Sequence, residues 1–111
     1  MIVANWKCNG SKTMINEWFK DYIKDSKESN ETFVGLAPPS IYVERVLNIA
    51  EKNSLKIMIG SQDIDASSGA RTGAISNEMF LDNNCYFSII GHSERRELFN
   101  ENNIQIRQKI I

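Results

Sequence analysis

Residues 86–96 read Tyr-Phe-Ser-Ile-Ile-Gly-His-Ser-Glu-Arg-Arg, an apolar run that breaks abruptly into polar and charged residues. Tyr86, Phe87, Ile89 and Ile90 make a near-continuous apolar run of strand length, which predicts a strand buried on both faces, as in a parallel sheet. Gly91 lets the backbone turn without a Cβ penalty, and Ser93 to Arg96 read as a capped, charged helix start. Between them stands His92, the only histidine of the chain. Alone, a histidine reads as a packing or surface residue. A titratable ring at the carboxyl end of a buried parallel strand, facing the next helix N-terminus, lies where α/β folds place reacting groups. His92 is therefore the first catalytic candidate.

Working outward, the same alternation recurs. Residues 1–6 form a short apolar strand, and Lys7-Cys8-Asn9-Gly10-Ser11 is a polar loop at its carboxyl end. Met14, Ile15, Trp18, Phe19, Tyr22 and Ile23 then recur at helical spacing, opposite Asn16, Glu17, Lys20, Asp21, Lys24 and Asp25. That aromatic stripe predicts packing against a sheet. Residues 26–31 are a polar connector, 32–37 a second strand, and Pro38-Pro39 stop it because proline supplies no backbone donor. Ser40 is the expected N-cap of a second helix carrying Val43, Val46, Leu47 and Ala50.

A third strand is expected over 56–60, followed by a loop over 61–73 whose length is more usual for functional loops than idle ones. Ser76 would cap a short helix with Met79 and Phe80. After Arg96 comes a last helical stretch with Ile104, Ile106, Ile110 and Ile111, and no Gly, Asn or Pro closes it. Strand-helix alternation four times over implies parallel pairing and right-handed crossovers. Periodicity does not separate an open doubly wound sheet from part of a closed (β/α)8 barrel.

At 111 residues the chain suffices for one domain, and 41% hydrophobic with 24% charged residues is an ordinary globular balance. A formal charge of -1 sets up no broad basic field, which argues against nucleic-acid binding. Cys8 and Cys85 show neither a CxxC spacing nor a secreted disulfide framework, so free thiols in a reducing compartment are expected. One histidine and two distant cysteines do not make a metal site, and no run approaches the ~20 apolar residues of a membrane span. The expectation is a cytoplasmic protein without leader, metal or membrane partner.

Two loops carry a family resemblance. Ala4-Asn5-Trp6-Lys7-Cys8-Asn9-Gly10 closely resembles the first-strand motif of triosephosphate isomerase, and Ile89-Ile90-Gly91-His92-Ser93-Glu94-Arg95-Arg96 its fourth-strand motif. Ala37-Pro38-Pro39-Ser40-Ile41-Tyr42 and Ser68-Gly69-Ala70-Arg71-Thr72-Gly73 are similar to the family's second and third loops. The resemblance implies the first four β/α units of a (β/α)8 barrel, about half of a fold of ~250 residues, as one domain ending within its fourth helix.

It also implies interconversion of dihydroxyacetone phosphate and glyceraldehyde 3-phosphate through an enediol(ate), with no cofactor. Lys7 would supply positive charge to the substrate, with Asn5 positioning it. His92 would polarise the carbonyl and shuttle protons between oxygens; the family is itself the standard example of a neutral histidine in this role, so the role is carried over, not deduced. Glu94 would be a supporting acid near Lys7 and not the principal base. Thr72 would tip a loop that plugs into a second subunit of a homodimer beside its 5–8 loop, making Cys8 an interface thiol. Cys85 reads as a small core residue.

Three departures stand out. Ala74 replaces the glutamate that commonly follows Thr-Gly, so an inter-subunit ion pair with Arg95 is expected to be missing. Asn100, Asn102 and Asn103 replace the glycine and polar residues usual after Arg-Arg, a tolerable change. Finally, the family's base glutamate, lid and phosphate-holding amides belong to later strands. The 111 residues therefore read as a truncated piece of an isomerase, inactive alone. The alternative is a non-catalytic half-barrel serving as an association module. An open nucleotide-binding sheet lacks its motif, since no Gly-x-Gly-x-x-Gly or Walker pattern follows any strand.

Overall fold

The computed structural model describes residues 1–28 and 31–110; Ser29 and Asn30 of the expected connector, and Ile111 of the expected last helix, lie outside the described residues. The elements are β1 (Ile2–Asn5), α1 (Lys12–Asp25), β2 (Val34–Ala37), a 3-10 turn (Ser40–Tyr42), α2 (Val43–Lys52), β3 (Met58–Ser61), α3 (Asn77–Asp82), β4 (Phe87–Ser88), α4 (Ser93–Leu98) and α5 (Asn103–Ile110). All strand pairs are parallel, in the order β1-β2-β3-β4. This order settles what periodicity left open. A doubly wound sheet reverses at a switch point and puts an early strand in its middle, whereas a barrel adds each strand beside its predecessor. The chain has the α/β architecture of the first units of a (β/α)8 barrel.

Local chemistry explains the helices. Ser11 is extended, and its Oγ accepts the Met14 N–H at 3.0 Å, which starts α1. Trp18 stacks on Tyr22 and meets Trp6 edge-on at 5.6 Å, so the aromatic stripe packs as expected. Ile23, placed on that stripe by its spacing, is instead 46% exposed near the helix end, past the last buried position at Phe19. The main core joins Ile15 and Phe19 of α1, Val46 and Ala50 of α2, and Leu36 and Ile59 of the sheet. A second cluster holds Val43, Ile64, Phe80 and Cys85. Cys85 is the small core residue expected, and burial pushes its thiol pKa up; both cysteines are free. On the other face of the sheet the Phe87 ring lies over Gly35 and Gly60, where a Cβ would come within 2.9 and 2.6 Å of it.

Several expectations need correction. Ser40 does not cap α2: Pro39 keeps the chain extended, the Tyr42 N–H bonds the Pro39 carbonyl at 2.9 Å, and the resulting 3-10 turn delays the α-helix to Val43. The strand over 86–90 is not buried on both faces. β4 is two residues long and, among the described residues, pairs with β3; Tyr86 is 65% exposed, and Phe87, Ile89 and Ile90 are half-buried. Ser93 does not cap α4, because the extended residue at its head is His92. The last helical stretch is also interrupted. Asn100 adopts φ +56°, a left-handed conformation asparagine tolerates, which ends α4 and shows why replacing glycine there is harmless. α5 then starts on a reciprocal cap in which Asn102 and Gln105 exchange backbone-to-side-chain hydrogen bonds, both 2.9 Å.

Candidate active site

Asn5 ends β1, and Lys7 follows in a left-handed conformation with φ +55°, which costs a lysine of order 1–3 kcal/mol. Neighbours hold it there. Asn5 Oδ1 accepts the Lys7 N–H at 2.8 Å, and Asn9 Nδ2 donates to the Trp6 carbonyl at 3.0 Å. Gln62 Nε2 donates to the Lys7 carbonyl at 2.8 Å and to the Ala37 carbonyl at 2.9 Å, tying the loop after β1 to the ends of β2 and β3. The Lys7 side chain is thereby aimed across the rim, where its Nζ lies 2.8 Å from Glu94 Oε1.

His92 heads α4 in the manner of an N-cap: its Nδ1 accepts the Glu94 N–H at 3.1 Å. A nitrogen that accepts an amide proton carries none itself, so this bond assigns the ring proton of the neutral histidine to Nε2. Glu94 Oε2 is 3.7 Å from His92 Nδ1. The hydrogen bond from Lys7 holds the Glu94 carboxyl below the usual glutamate range, with the Lys7 charge acting in the same direction.

These groups share one hollow. A cavity of about 470 Å³ is lined by residues that include Asn5, Lys7, Cys8, Gln62, Gly73, His92, Glu94, Arg95 and Phe99. An ammonium from the first loop and an imidazole from the fourth thus converge at the carboxyl rim of one parallel sheet, the arrangement α/β sheets use for small anionic ligands. Thr72 is not brought in: it stands exposed among residues 66–74. Cys8 is exposed and lines the cavity.

Arg95 faces inward to its own chain. Its Nε lies 3.2 Å from Asp63 Oδ2 and 3.1 Å from Glu101 Oε2, and Lys109 Nζ completes the network at 2.7 Å from each of these two carboxylates. Glu101 is buried; burial raises its pKa, but the bonds from Lys109 and Arg95 outweigh that and leave it below the usual range. The guanidinium also lies over the Phe99 ring, 4.9 Å from its centroid. Arg95 therefore has carboxylate partners without a glutamate at position 74.

Gln62 and the Asp63–Glu101–Lys109 network were not among the residues expected at the site. A glutamine beyond a strand end carries no signature of its own. Its position on the same rim as Lys7 and His92 was the available signal.

The Triosephosphate isomerase family profile matches residues 1–111. Triosephosphate isomerases of Shewanella halifaxensis, Shewanella baltica and Shewanella putrefaciens are 36%, 38% and 38% identical to this chain. Each alignment takes in 98% of the chain and 44% of the relative, so the chain spans less than half the length of the curated relatives it matches.

Proposed function

The chain belongs to the triosephosphate isomerase family, and from that premise we propose that Lys7 and His92 serve the interconversion of dihydroxyacetone phosphate and glyceraldehyde 3-phosphate. The observation that carries this reading is the cavity they share with Asn5 and Glu94. As a proton leaves one carbon for a base, negative charge builds on the neighbouring carbonyl oxygen. A fixed ammonium and a preorganised Nε2–H stabilise that enediolate better than mobile water does. His92 passes a proton between the two oxygens, Asn5 and Lys7 hold the substrate, and Glu94 keeps Lys7 aimed. No metal or cofactor enters this scheme.

The base that takes the carbon-bound proton is assigned to the part of the family's fold beyond these residues. The 111-residue polypeptide by itself is then expected to turn over negligibly, since loss of a base alone costs ~10²- to 10⁴-fold. In the whole protein, His92→Gln should lower kcat by a comparable ~10²- to 10⁴-fold. Unchanged turnover in that variant would remove His92 from the chemistry and this reading with it.

The same reading includes a homodimer, in the cytoplasm, through the face bearing Thr72 and Cys8. It is supported by the exposure of residues 66–74 and of Cys8 beside the cavity. Arg95, spoken for by Asp63 and Glu101, would border the contact and not bridge it. No helix among the described residues is long and apolar enough to cross a membrane.

A further inference from the structure

Residues 66–74 are exposed, and at Gly69 and Gly73, whose φ values are +100° and +89°, no atom lies within 4 Å of where a Cβ would stand. Packing does not hold this segment, yet it has a definite shape. Its neck is closed by the Asp65 N–H bond to the Ile75 carbonyl at 2.9 Å and by the bridge between Asp65 and Ser76. From the tip, Arg71 returns to the neck: Nε and Nη2 donate to Asp65 Oδ1 and Oδ2, both at 2.8 Å. Asp65 Oδ1 also accepts the Ser67 N–H at 2.9 Å, so one carboxylate ties both limbs of the segment. Short backbone bonds from Arg71 N to Gly69 O and from Ala74 N to Arg71 O complete the tip.

We propose that the Arg71–Asp65 pair is a latch that preforms residues 66–75 as a finger for a second copy of this chain, which makes Arg71 a positioning residue for the homodimer. The proposal rests on the homodimer reading above. An exposed ion pair contributes little to global stability. Here, however, the pair is a two-pronged guanidinium-carboxylate contact on an aspartate whose side chain is only 18% exposed. Its effect falls on association, because a finger already in shape does not pay its ordering entropy when it docks. Pairing also cancels the Arg71 charge, so none is carried uncompensated toward the partner. Arg71 immediately precedes Thr72, so loosening the arginine loosens the tip itself.

The test compares wild type with Arg71→Gln, Arg71→Lys, Asp65→Asn and the double variant Asp65→Asn/Arg71→Gln, all in the whole protein. Amide hydrogen exchange at Asp65, Arg71 and Ala74 is read beside the dimer dissociation constant from sedimentation over a dilution series. Arg71→Gln should speed exchange at these amides and raise the dissociation constant, each by up to about fivefold. Arg71→Lys, which keeps the charge and loses the fork, should fall between. The double variant should be no worse than either single one. If Arg71→Gln leaves both exchange and dissociation unchanged while wild type dimerises, the latch is refuted and the homodimer stands. If wild type is a monomer at every concentration, the homodimer reading fails instead, and unchanged exchange in Arg71→Gln would then refute the latch by itself.

Discussion

The Lys7 ammonium, carried by the loop after β1, and the Glu94 carboxylate, carried by the first turn of α4, meet at 2.8 Å across the rim of the sheet. Both side chains are about half exposed, so the contact fixes direction more than it adds stability. It joins the loops that bear the two principal candidates.

The contact has a pH signature. The folded Glu94 pKa is depressed, chiefly by the hydrogen bond from Lys7, so the contribution of the pair is complete above the unfolded glutamate pKa and is lost as pH falls through the folded value. A carboxyl-carbon NMR titration should find Glu94 ionising below the ordinary glutamate range. Lys7→Met should bring it back toward that range; an unmoved titration would mean that Lys7 is not its partner in solution.

Gln62 holds Lys7 in its left-handed conformation by donating to the carbonyls of Lys7 and Ala37. Gln62→Ala removes one donor from each oxygen, but the exposed Lys7 carbonyl can turn to water and Ala37 keeps the Trp6 N–H at 3.1 Å, so a loss of about 1 kcal/mol in urea unfolding is expected. In the whole protein kcat/KM should drop with it, because the ammonium is no longer aimed. Lost stability with full kcat/KM would show that Gln62 supports the loop without positioning Lys7.

A methyl group at Gly60 would sit 2.6 Å from the Phe87 ring. Gly60→Ala should therefore destabilise by about 1–3 kcal/mol, the usual penalty of an overfilled core. Pairing it with Phe87→Leu should restore part of the loss, read as the midpoint of thermal unfolding. Gly69→Ala, with no neighbour in reach, gives the contrast: any cost there comes from its φ of +100° alone.

Glu101 bonds both Lys109 and Arg95 while itself buried, and the Lys109 side chain is only 10% exposed. Glu101→Ala strips a mostly buried ammonium of one of its two carboxylates, so a loss of about 3 kcal/mol is expected, the lower end for a buried pair broken on one side. The folded Glu101 pKa is depressed, so in wild type this contribution is lost as pH falls through that value. Denaturant unfolding at neutral and acid pH should show the gap between wild type and Glu101→Ala narrowing in acid.

Much of this was legible in the chain. The stripe of Ile15, Trp18, Phe19 and Tyr22, the stop at Pro38-Pro39, the cap at Ser76 and the strand-turn-helix around Gly91 are local matters of periodicity and backbone chemistry, and neighbours in sequence express them. Errors came where a local rule met a tertiary condition. Ser40 is a good capping residue, but the extended Pro39 before it imposes a 3-10 turn. Residues 86–90 have the composition of a central strand, but a strand is buried on both faces only where other layers cover both, and Tyr86 is left 65% exposed.

The order of strands and helices, the parallel class, and the places of Lys7 and His92 at strand ends could be read from the chain, because such features depend on residues a few positions apart. Folding in three dimensions was needed to bring the strands side by side in chain order, to turn lysine and imidazole to one hollow, to brace the lysine with Gln62, and to fold Arg71 back on Asp65. Those contacts join residues distant in the chain or turned to meet in space. Their strength depends on distance and burial, which the spelling of the chain does not carry.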